Sequence, residues 1–186
     1  GFRLLYNELA FTYDLVSMIV SLGAWRCWQR AALRHLNAPA GSHILELAHG
    51  TGNLQLDLYA RGYRPIGYDL SPYMGRIASG KLRQQGLPVR LAQGRVQQLS
   101  FPAASFPAVV CTFPTNFIFQ PDTLREIQRV LQSEGLLLIV PNGVLTGSSI
   151  PAAALEGLYR ITGQRGEDQL DIQTYMAEFG FTAQVV

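Results

Sequence analysis

Apolar residues early in the chain fall at helical spacing. Leu5, Leu9, Tyr13, Val16 and Val20 recur three and four residues apart, which predicts helix over residues 5–35, divided near Gly23. After the loop Ala38–Ser42 the pattern changes to short apolar runs alternating with amphipathic stretches. HILELA (43–48) reads as a buried strand, 52–59 as helix, 64–69 as strand, and 72–85 as helix with Pro72 in its first turn. PVRLAQG (88–94) and FPAVVCTFP (106–114) read as two more strands. In PDTLREIQRVL (121–131), Leu124, Ile127, Val130 and Leu131 share one helical face. A turn at Ser133–Gly135 leads into LLLIV (136–140), apolar enough for a strand covered on both sides. Helices at 151–162 and 168–179 and a last strand in FTAQVV (181–186) complete the pattern. Strand and helix in regular alternation place the chain in the α/β class, with a doubly wound, mostly parallel sheet and helices on both faces.

Composition narrows the function more than the fold. With 186 residues, 48% hydrophobic and 15% charged, the chain is globular and sized for one domain. Net charge is +2, and the basic residues, all Arg except Lys81, are scattered without a basic block, which argues against nucleic acid as a partner. The apolar stretch Leu15–Trp25 is too short to span a bilayer. Cys27 and Cys111 have no metal spacing and read as buried reduced thiols of a cytoplasmic protein.

The chemistry concentrates in ILELAHGTGNLQ, where the first strand breaks into a glycine turn and then a helix. In doubly wound sheets, ligands bind beyond the carboxyl ends of the strands, where strand order reverses. A P-loop requires Gly-Lys-Ser/Thr after the turn, which is missing. A dinucleotide fingerprint requires a third glycine, and Gln55 stands there. Gly50 and Gly52 still permit positive φ and close approach of a ligand. Asp69, ending the second strand, is placed to accept hydrogen bonds from two ribose hydroxyls. A nucleoside without pyrophosphate satisfies these features.

ELAHGTG (46–52) resembles the first motif of the class I S-adenosylmethionine-dependent methyltransferases, with Ala48 in place of the motif's first glycine. GYDLSPYM, the stretch AQGRVQQLSFPAASFPAVVCTFPTNFI and TLREIQRVLQSEGLLLIV are similar to the family's later motifs, in the family's order. The resemblance covers roughly residues 10–141 and implies a Rossmann-like fold. It implies S-adenosylmethionine as cofactor, S-adenosylhomocysteine as product and a small-molecule acceptor. Carried onto this sequence, it places Glu46, Ala48, His49, Gly50 and Gly52 around the cofactor's amino-acid arm and Asp69 on the ribose. Leu70 and Met74 would sandwich the adenine, with Met74 open to ordinary core packing instead. His49 lines the arm, acts as a base or is simply exposed. Arg95 and Val96 fall at the adenine edge, and Thr112 and Phe113 at the methyl group. No catalytic residue is assigned, and no oligomeric state.

Three departures bear on cofactor affinity. Ala48 adds a methyl group to a tight turn, and Pro107 replaces an Asp that usually opens the fourth strand. Arg95 stands where the family often has an acceptor, and a guanidinium cannot accept hydrogen bonds. Either backbone groups at Arg95 and Val96 meet the adenine, or the guanidinium stacks on it or turns outward. A methyltransferase-like binding module without catalysis is the alternative reading. The whole chain, 1–186, is expected to form a single domain, with 1–37 as a helical cap and 143–165 as a substrate-side insertion. Aromatic residues in those segments (Tyr6, Tyr13, Trp25, Trp28) suggest a small or lipophilic acceptor. The family's seventh strand is not evident before Val186, so the sequence is expected to be an incomplete record of the protein or its fold altered there.

Overall fold

The computed structural model describes residues 24–141 and 172–185. Contacts divide the chain into two units, Gly1–Asn142 and Gly143–Val186, each taken by itself below. The expected helices at 5–23 and 151–162 lie outside the described residues.

The first described helix, α1 (Ala24–Ala32), ends in a 3-10 turn over Leu33–His35. Gln29, Ala32, Leu33 and Leu36 are buried at three- and four-residue spacing, while Cys27 and Arg30 face solvent. Cys27 is therefore an exposed thiol, in contrast to the expectation of two buried ones; only Cys111 lies inside. Strand β1 (His43–Leu47) is buried at every position after His43, as a strand with neighbours on both edges requires. It leads through α2 (Asn53–Ala60) to β2 (Arg64–Asp69), and α3 (Pro72–Gln84) leads to the short β3 (Leu91–Gln93). Strand β4 (Phe106–Thr112), α4 (Pro121–Val130) and β5 (Leu131–Val140) follow.

All five strands are parallel, in the order β3-β2-β1-β4-β5, so the strand order reverses beside β1. The core on one face joins Leu33 and Leu36 to Ile44, Leu54, Leu58, Ala108, Val110 and Leu138. By the two-residue period of a strand, Leu45, Leu47, Val109 and Cys111 turn to the opposite face. Arg26 and Arg30 of α1 both reach Asp57 of α2, at 2.9 and 3.2 Å, and hold the two helices together.

Pro107 is accommodated by a register shift. Phe106 pairs with Leu131, but Ala108 pairs with Leu136, so residues 132–135 loop out of the ladder beside the proline. On its other edge β4 pairs with β1 only from Ala108 onward, so the missing amide of Pro107 leaves no β1 carbonyl without a donor. The turn expected at Ser133–Gly135 is this bulge, with Glu134 at a φ of 59°. A strand segment at Leu131 thus precedes it, where sequence patterning predicts the end of a helix.

Two devices fix the loop between β3 and β4. Arg129 of α4 donates to the carbonyl oxygens of Phe101 and Leu99 at 2.8 and 2.9 Å and pairs with Glu126, which accepts from Leu99 N. Tyr68, Phe101 and Phe106 stack edge to face in series, with centroids 5.7 and 5.1 Å apart.

In the second unit, α5 is described over Ile172–Ala177 and ends two residues before the expected 179, closing on Gly180 at positive φ; residues 168–171 of that expectation lie outside the described residues. Residues 181–185, expected as strand, carry neither strand nor helix. A strand exists only through its hydrogen-bonded neighbour, and five alternating residues do not supply one.

Candidate functional site

The carboxyl ends of β1, β2 and β4 meet at the topological reversal, and the backbone there is strained. Ala48 has a φ of 52°, Gly50 of 53° and Gly52 of 79° after β1, and Phe113 has a φ of 53° after β4. Positive φ costs a residue with a side chain about 1–2 kcal/mol. Such outliers gather where function constrains the chain. The two glycines differ. A Cβ on Gly50 would meet nothing within 4 Å, whereas one on Gly52 would stand 2.7 Å from the Ala78 Cβ. Gly50 serves conformation and open space; Gly52 lets α3 lie against the turn.

Asp69 organises this turn. Its Oδ2 accepts from Gly50 N at 2.9 Å and its Oδ1 from Ser71 N at 2.8 Å. Ser71 then caps α3 by accepting from Met74 N at 3.3 Å. A carboxylate offers about four acceptor positions, so two remain for a ligand's hydroxyls. Glu46, two strand positions before Ala48, is only 1% exposed. Its protein partner is Gln55 of α2, whose amide donates at 2.5 Å. Burial pushes the Glu46 carboxyl up from 4.5 to about 8; the Gln55 hydrogen bond opposes this, and Asp69 and Asp57 add to it.

His49 is buried beneath the turn. Its Nδ1 lies 2.8 Å from the Gly50 carbonyl oxygen, which can only accept, so the proton sits on Nδ1. The ring packs against Gly67, where a Cβ would stand 2.8 Å from it. Burial holds the imidazole below its usual range, against the pull of Asp69. With Asp69, Ser71, Arg76, Leu91 and Gln93 it lines a cavity of about 400 Å³ between α3 and β3. At β4, Thr112 Oγ1 accepts from Gln29 Nε2 at 3.0 Å, and Phe113 lies against Trp28 with centroids 6.2 Å apart. The Gln29 Oε1 is buried without a partner.

Glu46, Ala48, His49, Gly50, Gly52 and Asp69 are thus brought together, with Thr112 and Phe113 on the adjacent strand end. Leu70 is 67% exposed beside them. Of the two readings open for Met74, core packing is the one its burial favours: it is 1% exposed, because the third position of α3 turns under the helix toward the sheet. Arg95 is exposed, and Val96 is buried in the 3-10 turn Val96–Gln98.

The family model for the methyltransferase domain matches residues 44–135. A demethylmenaquinone methyltransferase of Thermus thermophilus is 36% identical over 164 residues, 87% of this chain and 72% of that protein. The chain belongs to the class I S-adenosylmethionine-dependent methyltransferases. The demethylmenaquinone methyltransferase of Deinococcus radiodurans is 34% identical over 139 residues, 73% of this chain and 58% of that protein. The chain therefore spans 58–72% of these curated relatives. The fold is that of an S-adenosyl-L-methionine-dependent methyltransferase structure from Methanococcus maripaludis, with a TM-score of 0.69 at 17% identity, covering 92% of this chain and 83% of that one. Three residues that sequence reasoning did not assign hold members of this candidate site: Gln29, Gln55 and Ser71. Gln55 carried a signal, since it is a polar residue in an apolar helical stretch nine positions after a buried acid. Gln29 and Ser71 carried none beyond their spacing.

Proposed function

We propose that this protein transfers the methyl group of S-adenosylmethionine to a ring carbon of a lipophilic, hydroxylated aromatic acceptor of the quinol type. The observation that carries the reading is the Asp69 carboxylate bound to both Gly50 N and Ser71 N, which holds a strained, open turn ready for a nucleoside. Two relatives are demethylmenaquinone methyltransferases by name, which supports the acceptor class. The residues present fit the cofactor: Asp69 keeps free acceptor positions for a ribose, Leu70 offers an exposed apolar face, and the backbone at Gly50 is unobstructed. When bound, the cofactor supplies an electrophilic methyl group on a sulfonium cation. The Glu46 carboxyl and backbone carbonyls of the turn would hold its cationic arm. Thr112 and Phe113 would face the transferred methyl, and the unpartnered Gln29 Oε1 would accept from an acceptor hydroxyl. In the transfer a carbon–sulfur bond breaks, a carbon–carbon bond forms, and the ring proton leaves to solvent.

In this reading residues 1–37 and 143–165 select the acceptor, and the protein works in the cytoplasm. Among the described residues no helix is long and apolar enough to cross a membrane. The test is isothermal titration with S-adenosylmethionine, S-adenosylhomocysteine and NAD, followed by methyl transfer from labelled cofactor to a reduced, short-chain demethylmenaquinone. Binding of the first two and labelling of the quinol carbon are expected. Binding without transfer to this acceptor, a lipophilic phenol or a catechol would favour the non-catalytic module, and binding of NAD alone would end the reading.

A further inference from the structure

Among the described residues, three of the buried side-chain atoms without a hydrogen-bond partner come from neighbouring helices: Arg26 Nη1, Gln29 Oε1 and Gln55 Oε1. All three come from α1 and α2, which are joined through Arg26 and Asp57 on the face of the sheet that carries Glu46. Glu46 is the enclosed acid of this group. Its strand neighbours in register are Gly67 of β2 and Val110 of β4, neither of which brings a polar side chain to it. The Gln55 amide is neutral and fully buried.

The charged groups around Glu46 do not favour a carboxylate. Asp57 from α2 and Asp69 from the end of β2 both repel a negative charge there, and Arg26 of α1, already committed to Asp57, is the one cation drawing on it. The Cys111 thiol of β4 donates to Leu47 O and is pushed up by its own burial, so it stays neutral. His49, beside Gly67, is neutral as well. An acid with one neutral partner, enclosed and facing two carboxylates, is more stable with its proton on.

We propose that Glu46 is a neutral carboxylic acid in the free protein, positioned by Gln55, and that it gives its proton to solvent when the cationic cofactor binds. The inference rests on the cofactor reading above. No bond other than the O–H bond changes: the carboxyl loses H⁺, the buffer takes it, and the resulting carboxylate faces the cofactor's cationic arm. The acid then serves as a gate for charge. A cationic ligand is matched by a counter-charge created on arrival, while the free protein is spared an unpaired buried carboxylate.

The test has two parts. Infrared spectroscopy of the cofactor-free protein at pH 7 should show a protonated-carboxyl band in the wild type that is absent in Glu46→Gln; every ordinary Asp and Glu is ionised at that pH. Isothermal titration with S-adenosylmethionine in buffers of different ionisation enthalpy should show about one more proton released by wild type than by Glu46→Gln at pH 7, with wild-type affinity rising about tenfold from pH 6 to pH 7. The variant subtracts any proton from the cofactor's own amino group. A missing infrared band overturns the proposal, whether or not the variant binds cofactor. Binding with equal proton release in the two proteins overturns it too. Failure of wild type to bind any cofactor would instead sink the methyltransferase reading, with the infrared result still deciding the state of Glu46.

Discussion

Replacing Gly52 with Ala should be far more damaging than the same change at Gly50, although both glycines sit in one turn at positive φ. At Gly50 the φ is 53° and an added Cβ has nothing within 4 Å, so the cost is backbone strain alone, about 1–2 kcal/mol. Ala48, at a φ of 52° in the same turn, shows that the chain tolerates this strain. At Gly52 the φ is 79°, and the new Cβ would stand 2.7 Å from Ala78 Cβ and 3.1 Å from Ala78 Cα. Ala78 is fully buried in α3 and has no rotamer to move to, so the helix itself must shift. Overpacking of this kind adds about 1–3 kcal/mol to the strain. The expected loss is therefore about 2–5 kcal/mol for Gly52→Ala, a large part of an ordinary domain's 5–15 kcal/mol. Urea unfolding of the two variants and wild type, followed by circular dichroism, reads the difference from the midpoints. Equal midpoints for the two variants, or a Gly52→Ala protein within about 0.5 kcal/mol of wild type, would refute the assignment of Gly52 as the contact point of α3.

Asp69→Ala should lower stability by about 1.5–3 kcal/mol even without cofactor, because the amides of Gly50 and Ser71 lose a charged acceptor; an unchanged unfolding midpoint would mean the carboxylate serves only the ligand. Arg95→Ala should change S-adenosylmethionine affinity by less than about 1 kcal/mol, since the side chain is exposed. A tenfold loss in calorimetry would place the guanidinium on the ligand. Stability should fall as pH rises between 4.5 and about 8, because across that window the native Glu46 holds a proton that the unfolded chain has released. Glu46→Gln should flatten that slope, and equal slopes in thermal melts would argue against the buried acid. In the folded protein a thiol reagent should modify Cys27 alone, with Cys111 reacting only in denaturant; two fast equivalents in buffer would contradict the burial of β4.

The alternation of strands and helices was legible because each element satisfies a local rule. Pro72 starts α3, continuous burial marks β1, and the i, i+3 apolar positions of α4 face inward. Pairing was less legible. The bulge opposite Pro107 depends on which residue of β5 meets Ala108, and no local signal carries a register between distant segments. The site divides in the same way. Glu46, Gly50, Gly52 and Asp69 could be named because a strand end or a turn demands those residue types. Gln29, Gln55 and Ser71 matter through the partners they meet in space, Thr112, Glu46 and Asp69. Met74 was open to ligand contact by its place in a motif and to core packing by its residue type, and helical geometry buries it.

The aromatic series from Tyr68 through Phe101 to Phe106 limits how the site can be redesigned. A side chain at Gly94 would overlap the Tyr68 ring, whose hydroxyl also holds Gln98 O. Residues 94–101 are therefore tied to the sheet, and a substitution at Gly94 or at a buried position among them, Val96 or Leu99, is felt first as a packing defect. Attempts to switch the nucleoside preference by grafting this loop from another protein should yield insoluble or unstable chimeras. The exposed side chains at its border, Leu70 and Arg95, can be varied without touching the aromatic series. A library aimed at altered cofactors would do best to start with those two positions.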